Sequence, residues 1–264
     1  MLVDETLFTE QAKKSRIDIQ AIVERKCRDD QLVFLPATCS NIIEMTQQIA
    51  WLNQIQPVEN YQVSRSYYML KRIIDLGITL AALPFLAVLF VLVAILIKLE
   101  DPKGPVIFRQ DRTGKDGNRF QMFKFRTMVY NAEELKKELA YLNELEWPDF
   151  KISNDPRITR MGKLLRKTSL DELPQFINIL LGQMSLVGPR PTSFKAETYE
   201  LWQTERLDVT PGLTGLWQIL GRSDLDFCER SCLDIIYIER RSVKLDLLIL
   251  FHTFTAVLKQ RGAY

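Results

Sequence analysis

This chain of 264 residues has one histidine, His252, which argues against a histidine-based triad or a histidine zinc site. His252 sits on an apolar stretch near the C-terminus, where a packed or interfacial residue is the simpler reading. Cysteine is scarce too. Cys27, Cys39, Cys228 and Cys232 lack zinc-site spacing and read as ordinary thiols of a reducing compartment. Net charge is nearly missing: 35 Lys and Arg stand against 33 Asp and Glu, a formal +2, so composition offers no argument for nucleic acid. Internal repeats and low-complexity tracts are lacking. Residues 1–30 are charged throughout and have no apolar core, so no cleavable signal peptide is expected.

What the chain does have is concentrated hydrophobicity. Leu76–Ile97 runs 22 residues without a charge, bounded by Asp75 and Lys98. An uncharged apolar run of about 18 residues or more is a membrane-helix candidate. Pro84 lies inside it and removes one helical hydrogen bond. Positive charge flanks both ends: Lys71 and Arg72 before it, and Lys98, Lys103, Arg109 and Arg112 after it. A single span usually collects its basic residues on one side. Tyr67 and Tyr68, with Lys71 and Arg72, suit the headgroup region. The symmetric flanks and Pro84 favour a helix that breaks and returns to the side it entered from. Length does not decide the point, since 22 helical residues at ~1.5 Å each also cover the ~30 Å hydrocarbon core.

Residues 1–65 read as a separate N-terminal extension with weak signals. Q-L-V-F-L at 31–35 is a short strand candidate, and Ser40 heads a helical apolar series through Ile42, Ile43, Met45, Ile49 and Leu52. Residues 66–100 form the membrane segment and 101–264 a further domain. In that domain two β-prone runs, 106–112 and 119–126, flank T-G-K-D-G-N and predict a hairpin. Asn131–Leu145 predicts a surface helix. Residues 158–167 predict a basic amphipathic helix carrying Arg160, Lys163, Arg166 and Lys167, with Arg157 just before it. Such a helix suits an anionic surface or a phosphate-rich ligand, and equally a plain solvated face. Helices are also expected over 176–181, 226–241 and 245–258, the last too short to span. The fold class is therefore α/β: a helix-dominated domain with a small β-hairpin or sheet, plus one re-entrant, helix-break-helix membrane segment.

Asp171 and Glu172 are adjacent carboxylates in S-L-D-E-L-P-Q. Ser169 and Glu172 are spaced as a capping box, which spacing alone favours, although Pro174 fits poorly at the fifth helical position. The chemical reading divides the work between the two acids. A carboxylate whose charge is not spent elsewhere can attack a phosphoryl centre, provided that cations neutralise the anions brought together. Arg190 stands between two prolines in G-P-R-P, which confines it to an extended conformation and presents its guanidinium rigidly. A surface arginine at a plain loop corner is the commoner meaning of a lone P-R-P.

The ordered series K-R-I-I-D, apolar run with central proline, G-P-V-I-F-R-Q-D-R-T-G, F-K-F-R-T-M, D-P-R-I-T-R-M-G, S-L-D-E-L-P-Q, G-Q-M-S-L-V-G-P-R-P, P-G-L-T-G-L-W-Q and G-R-S covers about residues 66–264. It resembles the bacterial sugar transferases, more specifically the monotopic polyprenyl-phosphate sugar-1-phosphate transferases. The resemblance implies transfer of a sugar-1-phosphate from a UDP-sugar to undecaprenyl phosphate, with release of UMP, at the cytoplasmic face of the bacterial inner membrane. It implies Asp171 as nucleophile, forming a phosphosugar–aspartyl intermediate, Glu172 in support, and Mg²⁺ held at Asp171. It further implies substrate contacts from Lys124, Arg166, Arg190, Arg222 and Asp234. The partners that follow are the nucleotide sugar, the lipid carrier and the bilayer, with no nucleic acid and with a homo-oligomer left open. The family's membrane segment is often broken at Ser-Pro, and here the pair is Leu83-Pro84. A non-catalytic membrane scaffold with the same fold is the alternative, against which the intact dyad argues.

Overall fold

The structure is a computed structural model that describes residues 40–55, 64–144, 152, 154–221 and 225–258. The strand candidate at 31–35, and Cys27, Cys39 and Arg222, lie outside the described residues. The helix expected from Ser40 to Leu52 is two helices, α1 (Ser40–Gln47) and α2 (Ala50–Asn53). Ile49 separates them by taking an extended conformation, φ −89° and ψ 97°. Residues 40–55 pack against the C-terminal helices. Ile42, Leu52 and Ile55 are buried in one core with Leu233, Ile236, Leu245 and Ile249. Trp51 stacks on His252 with ring centroids 4.9 Å apart, which gives the lone histidine its packing role.

Helix α3 (Arg65–Glu100) runs through Pro84 as one helix of 36 residues, ~54 Å at the usual rise. Among the described residues it is the one helix long and apolar enough to cross a membrane. Only 17% of its most apolar window is buried, unlike the core helix of a soluble protein. Beyond Tyr67 its buried positions, Asp75, Thr79, Leu86, Val93 and Ile97, are spaced by four or seven and so form one stripe. Leu80, Phe85, Val88, Val91, Leu92, Ile95 and Leu99 are exposed.

Both ends of α3 are tied to the same domain. At the start, Lys71 pairs with Asp246 at 2.9 Å, and Arg72 donates to the carbonyls of Ile179 (2.6 Å) and Leu180 (3.0 Å). Asp75 accepts from Ser185 Oγ at 2.7 Å and from the Leu186 amide at 3.0 Å. Tyr67 is buried, with its hydroxyl donating to Asp246 at 3.1 Å. Tyr67, Lys71 and Arg72 are thus spent on tertiary contacts, which corrects their assignment to the headgroup region; Tyr68 alone of that set is exposed. At the far end, Val93 and Ile97 pack with Phe125 and Leu165, and Lys98 donates to the carbonyls of Pro102 and Gly104.

The expected hairpin is present: β1 (Ile107–Thr113) pairs antiparallel with β2 (Arg119–Phe125). The surface helix is shorter than expected, α4 (Ala132–Glu138) and one further 3₁₀ turn. The basic helix α5 (Arg160–Lys167) and the short α6 (Gln175–Leu180) follow. A second, parallel ladder was not expected: β3 (Ser185–Val187) beside β4 (Gly212–Thr214). It explains the glycines of the two motifs that it joins. A Cβ on Gly212 would lie 2.1 Å from the Gly188 amide nitrogen, so only glycine lets the chains cross. Helices α7 (Leu216–Leu220), α8 (Phe227–Glu239) and α9 (Val243–Leu258) complete the domain. Cys232, fully buried in α8, is disulfide-bonded and Cys228 is a free thiol, so the expected set of ordinary thiols is not what is found.

Candidate active site

The dyad lies on a single 3₁₀ turn, Leu170–Glu172, between α5 and α6. Ser169 enters it with φ 57°, a left-handed conformation unusual for a non-glycine residue. That geometry cancels the capping box, and the Ser169 side chain caps nothing. Glu172 faces cations instead. Its Oε1 lies 2.8 Å from Lys124 Nζ and also accepts from Arg190 Nη2, while Oε2 accepts from Arg190 Nη1 at 3.1 Å. The arginine is therefore bidentate, the strong geometry for a carboxylate.

Three local devices bring these groups together. Asn178 of α6 stitches the helix that follows the dyad to β2: its Oδ1 accepts from the Phe123 amide at 3.0 Å and its Nδ2 donates to the Gln121 carbonyl at 2.7 Å. Lys124 is the next residue on that strand. Helix α5 is seated against Thr127, just past β2, because Gly162 has no side chain; a Cβ there would lie 2.0 Å from the Thr127 carbonyl oxygen. Glu100, the last residue of α3, caps the first turn of α5 through the amides of Arg160 (2.7 Å) and Met161 (2.8 Å). So seated, Arg166 donates from Nε to Thr127 Oγ1 at 3.0 Å. Arg190 leaves β3 on the loop that crosses β4.

The two carboxylates differ in kind. Burial would raise Glu172, but Arg190 and Lys124 overcome it and hold the acid well below the usual range. Asp171 is buried, and no hydrogen bond or ion pair to its carboxylate is found among the described residues. Burial pushes it above an ordinary aspartate, with Lys124, Arg166 and Arg190 close enough to oppose the shift. Lys124 is itself pushed down by burial, against the pull of Glu172. The cluster is reachable: the Lys124, Glu172 and Arg190 side chains are 18%, 19% and 24% exposed.

Of the residues named from sequence, Lys124, Arg166, Asp171, Glu172 and Arg190 are gathered here. Asp234 is placed behind the site, 1% exposed and paired with Arg206 at 2.6 Å, so it presents nothing to a bound substrate. Burial pushes its carboxyl up to about 6 in spite of that partner. Sequence reasoning missed Arg206, Asn178 and Arg112. Arg112, by sequence a flanking charge, donates to the Pro191 carbonyl at 3.2 Å, and burial lowers it to about 10, with Arg190 adding to the effect. A cavity of about 170 Å³ under the first turns of α3, between Tyr67, Lys71, Tyr237 and Arg241, contains none of the dyad cluster.

The family model for bacterial sugar transferases matches residues 66–260. The chain is 43% identical over 218 residues to galactosyl transferase CpsE of Streptococcus agalactiae, covering 80% of this chain and 49% of that one. It is 42% identical over 212 residues to undecaprenyl-phosphate galactose phosphotransferase of Salmonella typhimurium, covering 78% and 44%. It is 41% identical over 199 residues to exopolysaccharide production protein ExoY of Sinorhizobium fredii, covering 74% and 88%. The chain thus spans about half the length of the first two relatives and most of the third. A family match across most of the chain, with relatives above 40% identity, is decisive: this chain belongs to the bacterial sugar transferase family.

Proposed function

We propose that the chain is a phosphoglycosyl transferase that moves a sugar-1-phosphate from a UDP-sugar to undecaprenyl phosphate, releasing UMP and starting an exopolysaccharide or related glycan. The observation that carries this reading is the asymmetry of the dyad. Glu172 is spent on Lys124 and Arg190, while Asp171 keeps an uncommitted carboxylate among cations. In the first step an Asp171 oxygen attacks the phosphorus that bears the sugar. The new O–P bond forms as the bond to the bridging oxygen breaks, and UMP leaves with that electron pair. In the second step a phosphate oxygen of the lipid carrier attacks the same phosphorus. Asp171 departs as carboxylate and the lipid-linked diphosphate sugar is released. Lys124, Arg166 and Arg190 stabilise the charge gathered at the phosphates. Glu172 holds two of these cations in place.

Magnesium is the cofactor that accompanies this reading, and the donor set fits it in one way. Both Glu172 oxygens are engaged, Asp171 is not, and no cluster of three or more His, Cys, Asp or Glu occurs among the described residues. Mg²⁺ needs few protein ligands when substrate phosphates complete its shell. Held by Asp171, it would supply further charge neutralisation at the diphosphate.

The exposed face of α3 is the surface that would enter the bilayer. Attachment of both its ends to one domain supports the re-entrant topology, with both ends on the cytoplasmic face. Pro84 removes one helical hydrogen bond at mid-run, although α3 continues through it unbroken. Cysteines introduced at Ser64 and Lys103 are then both protected from an impermeant thiol reagent in intact cells. Labelling of one and not the other would show a crossing helix.

Purified protein is tested for UMP release from a panel of UDP-sugars, UDP-galactose first because two relatives are named for galactose, with Mg²⁺ and undecaprenyl phosphate. Asp171→Asn is the control. Equal release by the variant would refute the nucleophile, and no release by the unaltered protein with any donor would favour the non-catalytic scaffold.

A further inference from the structure

The loop that presents Arg190 has little means of holding itself, because Pro189 and Pro191 have no amide hydrogen. Its four consecutive carbonyls are gripped from outside instead. Pro189 accepts from the Gly212 amide at 2.9 Å, Arg190 from Arg206 Nη2 at 2.9 Å, Pro191 from Arg112 Nη1 at 3.2 Å and Thr192 from the Thr113 amide at 2.9 Å. Of these donors, Arg206 is the one bound to a fully buried countercharge: the same Nη2 lies 2.6 Å from Asp234 Oδ2. Its guanidinium carbon also sits 5.9 Å from the Tyr199 ring centre and 5.4 Å from that of Phe227, which wedges it in place.

Stability does not account for this pair. Asp234 Oδ1 and Arg206 Nη1 are buried and find no hydrogen-bond partner among the described residues. A buried ion pair left half-satisfied returns less than its desolvation costs. What it gains is a fixed position for the one backbone atom it touches.

We infer that Arg206, locked by Asp234, is a positioning residue of the site: it sets the Arg190 carbonyl so that the Arg190 guanidinium meets Glu172 bidentately beside Asp171. Arg206 touches neither the dyad nor the space before it, so it acts only through Arg190. Its catalytic consequence rests on the transferase reading; its grip on the loop does not.

The test uses the full chain with Arg206→Met and Arg206→Lys, each alone and combined with Arg190→Met. UMP release from the best donor of the panel is measured with hydrogen–deuterium exchange over residues 186–193. Arg206→Met should lose about 100-fold in kcat with little change in KM, the scale of a small misplacement of a catalytic group. Arg206→Lys should recover part of it. On the Arg190→Met background, Arg206→Met should cost nothing further, and faster exchange should be confined to 186–193. Undiminished kcat in Arg206→Met, a second full loss on the Arg190→Met background, or faster exchange throughout α8 and α9 would overturn the inference. If the unaltered protein releases no UMP from any donor, the transferase reading fails, and the exchange measurement alone decides whether Arg206 holds the loop.

Discussion

Two buried carboxylate centres in this molecule invite comparison: Asp171 with Glu172, and Asp246 where α3 meets α9. Asp246 is saturated. It accepts from Tyr67 at 3.1 Å, from Tyr237 at 2.8 Å and from Lys71 at 2.9 Å. Burial still raises its pKa, against the pull of Lys71 and the phenols. Asp171 is buried to a similar degree and has cations nearby, yet no donor reaches it. One centre closes on itself and joins two helices. The other leaves an acid uncommitted and so keeps it available to a ligand. Burial alone therefore does not mark a reactive carboxylate; burial without donors, among cations, does.

The comparison can be broken at either centre. The largest effect is expected from Asp171→Asn, which should lower UMP release by about 10⁴-fold or more, as removal of a nucleophile does. Its melting temperature should be unchanged or higher, because an uncompensated buried charge is removed. Asp246→Ala should do the opposite, costing about 3 kcal/mol in denaturant unfolding while the folded fraction keeps its turnover number. A turnover loss in proportion to that of Asp171→Asn would erase the distinction.

Lys124→Met is expected to sharpen the contrast at smaller cost, about 100-fold in kcat, the scale of one lost electrostatic donor. The smallest effect is on pH dependence. Since burial raises Asp171, the acid limb of the rate should lie above the pKa of an ordinary aspartate. Since burial lowers Lys124, the alkaline limb should lie below that of an ordinary lysine, and it should vanish in Lys124→Met. The stability contributions run in opposite senses. Glu172, held low, contributes stability above its unfolded value, and this is lost as pH falls toward its folded value. Asp171, held high, contributes below its unfolded value, and this is lost as pH rises through its folded one.

Most residues gathered at the site were legible in the sequence because they sit in short motifs: Lys124 in F-K-F-R-T-M, the dyad in S-L-D-E-L-P-Q, Arg190 in G-P-R-P. Arg206 and Asn178 were not, because the partners through which they act on the site, the Arg190 and Gln121 carbonyls, lie 16 and 57 residues away and their neighbours in the chain carry no pattern. The hairpin, the basic helix and the two C-terminal helices follow from periodicity. The β3–β4 ladder does not, since strands of three residues are too short to show a period and join segments 25 residues apart or more. Tyr67, Lys71 and Arg72 match an interfacial pattern, but tertiary partners more than 100 residues away take all three. The Ser169–Glu172 spacing fits a cap, and the left-handed turn at Ser169 denies it.

The attachment of α3 at both ends has a consequence for how substrates are found. A helix fastened at Lys71–Asp75 and again at Lys98–Glu100 leaves no joint about which the domain can swivel. Whatever surface takes up its apolar face therefore fixes the tilt of the whole molecule and the depth of Asp171. An acceptor confined to that same surface then meets the nucleophile by a search in two dimensions instead of three, with its height already settled before the encounter.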